Sequence, residues 1–446
     1  MKFVVIGGDA AGMSAASRAK RNWPDLEITV LEKTMDVSYS ACGMPYNIAD
    51  PKRPIDDLVV RPADVFRKKQ GIKVLTGHLG EKIDRQRQNV HVISRDGSSF
   101  EIAYDKLLIA TGAHPILPDL PGFDLPGIMA LKSLEDGRKI KQYIKDNDVK
   151  KVVILGMGYI ALEMCEALRA LNIEVAMVKP RKTFIPWLHP DMADMVKKEV
   201  ESNGVKLYPG HKIIHAEQSE GRLKIVCDDP ALTADMVLAA VGISPSSNIA
   251  SDAGLELGVS QSISVDKMLR TSDENIYAAG DCADAYHVVT GKKTWIPLAL
   301  RANRSGWAAA DNICGKQVRL EGVAGTAVFK VFNLEVARTG LTPKEAAEAG
   351  FDPASVIIKS RSRAHAHPGS KTIQVQMVGD KKSGRLLGAF MVGEEGAAHR
   401  INAAAVALHN HMTVEAFSTT DLSYAPPFGP VWDPLLTAAN QLIKAL

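Results

Sequence analysis

Phe3-Val4-Val5-Ile6-Gly7-Gly8-Asp9-Ala10-Ala11-Gly12 opens the chain with a short apolar strand that turns sharply on glycine. An amphipathic helix from Met13 to Asn22 is expected next, then a second strand, Glu27 to Leu31, ending at Glu32. Gly7 permits the tight turn and Gly12 the close packing of helix on strand. The helix N-terminus offers unpaired N–H groups to a pyrophosphate, and the Glu32 carboxylate can take ribose hydroxyls. Lys33, its neighbour, joins the candidate cofactor contacts. Asp9 replaces the usual middle glycine, so the spacing to Glu32 carries the reading as much as the string does.

The same unit recurs. Lys151-Val152-Val153-Ile154-Leu155 runs into Gly156-Met157-Gly158-Tyr159-Ile160-Ala161-Leu162-Glu163, with Ala161 as a small substitute for the third glycine, and a strand follows from Glu174 to Val178. Where an acid would hold the ribose of NAD, the chain reads Lys179-Pro180-Arg181-Lys182. Cations there suit a 2′-phosphate, which favours NADPH over NADH; a solvated loop is the alternative. Gly156, Gly158, Tyr159, Ile160, Glu163 and Gly242 complete this candidate nucleotide site. A third signal, Ile276-Tyr277-Ala278-Ala279-Gly280-Asp281, ends a short strand on a carboxylate that can meet the ribityl chain of a flavin. With Thr111-Gly112 leaving the first unit, the signals describe an FAD domain (1–113 and 250–322) interrupted by an NAD(P)H domain (114–249). Pro297 and Ala299 would pack under the flavin.

Cys42 lies in Ser38-Tyr39-Ser40-Ala41-Cys42-Gly43-Met44-Pro45-Tyr46. An internal redox disulfide would need a second cysteine about one helical turn along, and Asn47 stands there. A lone cysteine beside a flavin completes its cycle with an outside partner: a small thiol, a persulfide or a peroxide. The start of a helix at Met44, together with the flavin, is expected to favour the thiolate. Cys165, Cys227, Cys282 and Cys314 are scattered, with no metal-site or disulfide-framework spacing, and read as core residues.

The chain has 446 residues, too many for one hydrophobic core. Its formal net charge of +3 carries no nucleic-acid signature. No apolar run reaches about 18 residues, so no membrane span is expected, and the opening apolar stretch is too short for a signal peptide. A reducing cytoplasm is the simplest setting for such cysteines. From about Val323 the pattern changes to strands and short helices, predicting a separate α+β domain (323–446). Thr342 is the expected cap of a helix with Pro343 at its first position.

These motifs, with the tail Asp421-Leu422-Ser423-Tyr424-Ala425-Pro426-Pro427-Phe428, resemble the pyridine nucleotide-disulfide oxidoreductases of the coenzyme A disulfide reductase, NADH oxidase and peroxidase group. The resemblance spans the whole chain. It implies an α/β fold with two Rossmann-like domains and a C-terminal dimerisation domain, a homodimer, and active sites that borrow residues from the partner subunit. No rhodanese extension follows Leu446, unlike the longer members. The peroxidase and oxidase branch carries a histidine where this chain has Ala10. The coenzyme A branch carries a polar-basic first helix, here Ser14, Arg18 and Arg21; Arg18 and Arg21 share a face and could clamp phosphates, a solvated face being the alternative. Ser38 and Asn303 are further substrate candidates. Of two tyrosines supplied by the partner in that branch, Tyr424 matches the second, while His367 stands in place of the first; an imidazole gives up a proton near neutral pH more readily than a phenol. His411 and Glu415 resemble a His–Glu pair of two-cysteine relatives, at too short a spacing.

The resulting expectation is an FAD-dependent NAD(P)H oxidoreductase that reduces coenzyme A disulfide or a related persulfide or polysulfide, with Cys42 joined to coenzyme A at rest. The alternatives are an NAD(P)H oxidase or peroxidase cycling Cys42 through sulfenic acid, and a flavin redox sensor that does not turn over.

Overall fold

A computed structural model describes residues 1–446. Three five-stranded sheets organise them. In the first, Lys2–Ile6 lies between Glu27–Glu32 and Lys106–Ile109, with Lys73–Thr76 and Ile276–Ala278 at the edges, and every pairing is parallel. The second repeats this plan: Lys151–Leu155 lies between Glu174–Lys179 and Met236–Ala239, flanked by Lys206–Pro209 and Ile128–Ala130, again all parallel. Their strands are near-continuous Val/Ile/Leu runs because both faces are covered. The third sheet is antiparallel, ordered Ala327–Val331, Leu334–Gly340, Leu386–Gly393, Thr372–Asp380 and Pro353–Arg361.

The chain passes from the first sheet to the second through Ala113–Pro115 and returns through Ile243–Pro245. These two strands pair antiparallel, and Thr111 Oγ1 donates to the Ser246 carbonyl at 2.5 Å.

The first helix spans Ala10–Asn22, three residues earlier than expected. The turn is already complete at Asp9, whose carbonyl accepts from Met13 N at 2.9 Å. The Ala397–His409 helix stops short of His411, which takes a positive φ before the chain turns into Thr413. Thr342 caps Pro343–Ala349 with a reciprocal bond pair to Glu345.

The cysteine segment is anchored away from its own sheet. Met44 and Ile48 are buried in the core that also holds Leu134 and Leu162 of the second nucleotide unit, each side chain contributing roughly 1.5–3 kcal/mol by burial. Lys141 Nζ donates to the carbonyls of Asn47, Asp50 and Arg53, and Arg138 grips Asp36 and Asp56. The Leu134–Asp146 helix thus staples residues 36 to 58. No helix is long and apolar enough to cross a membrane.

Candidate active site

Gly7 has a φ of 110°, and a Cβ there would stand 2.1 Å from the Ala110 carbonyl oxygen. A Cβ on Gly12 would stand 1.9 Å from the Gly7 carbonyl oxygen, so only glycine lets this helix approach its strand. Glu32 reaches the turn: Gly8 N donates to its Oε2 at 2.7 Å, and Thr34 N and Oγ1 donate to Oε1 at 2.8 Å each. Lys33 is exposed beside it. Asp9 points into the cysteine segment, where its Oδ1 accepts from Tyr39 N at 3.2 Å. Burial pushes its carboxyl up to about 6. Ser38 is held left-handed at φ 50°, with its N–H on the Gly8 carbonyl.

At the other end of this cradle, Asp281 Oδ2 accepts from Lys132 Nζ at 3.0 Å, and its carbonyl accepts from Trp295 Nε1 at 2.8 Å. Gly112 bonds Ser246 N through its carbonyl, and nothing lies within 4 Å of an added Cβ. Pro297 is half-buried, and Ala299 begins the Ala299–Ile313 helix. These residues fit a dinucleotide: glycine backbone at the helix start, an acid at the ribose end and a second acid across the sheet. Arg301, in the same helix, is buried. Its Nη2 donates to the Ala283 and Asp284 carbonyls, while its Nη1 has no partner. Neither Lys132 nor Arg301 stood out in the sequence; a charge within the apolar run Leu298-Ala299-Leu300-Arg301 was the available signal.

The second turn is equally constrained at Gly156, where a Cβ would stand 2.3 Å from the Ala240 carbonyl oxygen, and open at Gly158, where nothing lies within 4 Å. Gly242 and Ile160 are exposed. Tyr159 packs 4.9 Å from Phe329 and 5.7 Å from Trp187, bridging this turn to the third sheet. The three cations divide. Lys179 Nζ donates to the Phe184 carbonyl at 2.6 Å, and burial, then Arg181, hold its pKa down. It braces its own loop and is not a free phosphate contact, correcting the expectation of three equivalent cations. Arg181 and Lys182 are exposed.

Cys42 is exposed in the single turn Ala41–Gly43. Tyr46 Oη, one turn on, donates to Glu163 Oε1 at 3.0 Å, so Glu163 is tied to the cysteine turn. The surrounding protein, and then the Glu163 carboxylate, push the Cys42 pKa up. This reverses the expected thiolate bias within the polypeptide itself. The Met44–Ile48 helix has only five residues, too few for a strong dipole, and an acid faces the sulfur. Cys165, Cys227 and Cys282 are buried and Cys314 half-buried.

Ser14 Oγ donates to Asn303 Oδ1 at 2.6 Å, so two substrate candidates meet across the first and Ala299–Ile313 helices. Arg18 is committed: its Nε and Nη2 form a bidentate pair with Asp311 at 2.9 and 3.0 Å. That corrects the picture of Arg18 and Arg21 as a matched free clamp; Arg21 alone is exposed and unengaged. Far along the chain, Ala364 N donates to the Pro426 carbonyl at 3.0 Å, which joins the turn bearing His367 to the segment bearing Tyr424. His367 Nδ1 hydrogen-bonds the Pro368 carbonyl at 3.1 Å, and Tyr424 is half exposed. His411 accepts from Arg385 Nη2 at 2.8 Å through Nδ1, with no bond to Glu415.

Two family models match: pyridine nucleotide-disulphide oxidoreductase over residues 1–306, and its dimerisation domain over residues 326–434. The chain is 38% identical over 446 residues to a CoA-dependent NAD(P)H sulfur oxidoreductase of Pyrococcus furiosus, covering 99% of each. It is 34% identical to an NADH oxidase of Methanocaldococcus jannaschii, covering 100% of this chain and 99% of that one. Among solved structures, an NAD-dependent persulfide reductase from A. fulgidus superposes with a TM-score of 0.96 at 37% identity, over 100% of this chain and 83% of the other. With both nucleotide turns, the paired crossing strands and the antiparallel third sheet in place, the chain belongs to the pyridine nucleotide-disulphide oxidoreductase family.

Proposed function

We propose that this protein is an FAD-dependent NAD(P)H oxidoreductase that reduces coenzyme A disulfide, or a coenzyme A persulfide or polysulfide, through Cys42 alone. The observation that carries the reading is an exposed, unpaired Cys42 with Asn47 buried where a second sulfur would stand. The CoA-dependent sulfur reductase and the persulfide reductase among its relatives support it.

Gly7, Gly12, Glu32, Lys33, Thr111, Gly112, Asp281, Pro297 and Ala299 would hold FAD, which when bound supplies the two-electron relay between nicotinamide and sulfur. Gly156, Gly158, Tyr159, Ile160, Glu163 and Gly242 would hold the pyridine nucleotide, with Arg181 and Lys182 on a 2′-phosphate. The Cys42 thiolate attacks one sulfur of coenzyme A disulfide; the S–S bond breaks and a mixed disulfide forms. The departing coenzyme A thiolate takes a proton from Tyr424 or His367 of the other subunit. The mixed disulfide then takes up two electrons and a proton, returning the Cys42 thiolate and a second coenzyme A. Ser14, Asn303, Arg21 and Ser38 would orient the substrate. Residues 1–113 with 250–322, 114–249 and 323–446 are proposed as the FAD, nucleotide and dimerisation domains of a cytoplasmic homodimer; the Ala113–Pro115 and Ile243–Pro245 pairing marks the two crossings.

Cys42→Ser should still show flavin bleaching by NADPH, while reduction of coenzyme A disulfide falls at least 1,000-fold, of the order lost with an essential covalent nucleophile. Surviving turnover would sink the proposal. The oxidase reading is favoured by the M. jannaschii relative and disfavoured by Ala10, which leaves no imidazole on the first turn. Oxygen or peroxide turnover exceeding that of coenzyme A disulfide would select it.

A further inference from the structure

Apart from Arg21, the outer half of the seam between Ala10–Asn22 and Ala299–Ile313 has no part in the mechanism above. The two helices lie close: a Cβ on Gly306 would stand 2.2 Å from the Ala11 carbonyl oxygen. They run parallel, so contacts advance together, from Ser14 on Asn303 to Arg18 and Asn22 on Asp311. At the Arg18 level an indole stands in the open. Trp307 is 49% exposed, and the Arg18 guanidinium lies 5.5 Å from its ring centroid. The bidentate pair to Asp311 holds that guanidinium in place. Arg18, Asn22 and Lys316 engage the Asp311 carboxylate, while Arg21 and Arg304, exposed on the same two helices, make no ion pair.

The N-terminal end of the Ala299–Ile313 helix lies beside the Asp281–Asp284 loop, where Trp295 Nε1 donates to the Asp281 carbonyl and Arg301 Nη2 to the Ala283 and Asp284 carbonyls, and Asp281 is among the charges acting on Cys42. Leu300, Asn303, Arg304 and Trp307 share one face. From Ala299 onward, that face offers an apolar side chain, an amide, a cation and an aromatic ring. Trp307 lies roughly 12 Å beyond Ala299 along the axis.

We propose that Trp307 is the platform on which the adenine of coenzyme A stacks, with Arg21 and Arg304 meeting its phosphates. The proposal rests on the function above and assigns the far end of its substrate. An exposed indole with one face backed by an ordered guanidinium presents a π-face at the cost of little conformational entropy, and base–aromatic stacking is sequence- and sugar-tolerant.

The test uses the FAD-loaded enzyme and two variants. Trp307→Leu keeps apolar packing and removes the ring; Trp307→Phe keeps a smaller ring. Calorimetric affinity for adenosine 3′,5′-bisphosphate should fall about tenfold in Trp307→Leu and stay within about threefold in Trp307→Phe. The ratio of kcat/KM for coenzyme A disulfide to that for pantethine, which lacks the nucleotide, should fall about tenfold in Trp307→Leu. Reduction of both disulfides with an unmoved ratio and unmoved affinity overturns the role of Trp307 alone. Failure of the parent enzyme to reduce either disulfide overturns the function and this inference together.

Discussion

Tyr46 donates its hydroxyl to Glu163 at 3.0 Å, across 117 residues of chain. The pair joins the turn that presents Cys42 to the first helix of the second nucleotide unit. It also sets an acid close enough to oppose ionisation of the sulfur.

Glu163→Gln removes that charge. The Cys42 pKa should move down, because the thiolate no longer faces a carboxylate. Iodoacetamide alkylation of the FAD-loaded enzyme, followed against pH, should show its midpoint shifted to lower pH. An unmoved or raised midpoint would contradict the geometry.

The two exposed cations after Glu174–Lys179 should set nucleotide choice. Arg181→Glu with Lys182→Glu is expected to lower kcat/KM for NADPH about 10- to 100-fold, the worth of one or two charge-assisted phosphate contacts. NADH should change by only a few-fold. Lys179→Met should behave differently, lowering Tm while leaving the NADPH/NADH ratio near that of the parent, since its ammonium caps the Phe184 carbonyl.

Tyr424 and His367 test the shared site. A subunit with Cys42→Ser is inactive by its sulfur, and one with Tyr424→Phe plus His367→Ala is impaired by its proton donors. Co-refolded in equal amounts, they should regain activity above either parent variant, because a mixed dimer assembles one intact site. No regain on mixing, with heterodimers present by native mass spectrometry, would place proton transfer within one chain.

Two buried groups give acid sensitivity in separate windows. Burial holds His287 neutral, with its pKa lowered to about 4 from 6.5. The unfolded chain therefore takes up that proton first as pH falls, and stability present above about 6.5 is lost down to about 4, by about 3 kcal/mol at most. Burial would raise the Asp311 pKa, but hydrogen bonds from Arg18, Asn22 and Lys316 outweigh it and lower the value to about 2. Its contribution is full above about 4 and lost as pH falls to about 2. Tm against pH should flatten between 6.5 and 4 in His287→Gln, and the loss below 4 should shrink in Asp311→Asn.

Local signals were legible where chemistry is local. Gly7, Gly12 and Gly156 are demanded by backbone approach, and their spacing to Glu32 and Glu163 places them on strand–turn–helix units. The Thr342 cap and the helix starting at Met44 were equally readable. Partnerships were not. Nothing near Arg18 announces that Asp311, 293 residues on, takes its guanidinium. Nothing in Lys179-Pro180-Arg181-Lys182 says that the first cation turns inward while the others remain outside. Within the polypeptide the Cys42 bias runs the other way for the same reason: the helix start is a local feature, but the burial of the sulfur and the Glu163 carboxylate come from the packing of distant segments.

The sequence by itself determined the two nucleotide units and the absence of a second cysteine one helical turn beyond Cys42, because turns, strand runs and a missing sulfur are properties of contiguous residues. Only the tertiary structure decided which charges are spent and which are free, what faces the sulfur, and that Trp307 stands exposed beside an immobilised arginine. Long-range electrostatics and side-chain exposure depend on which surfaces the packed helices bring together, and no window along the chain contains that distance.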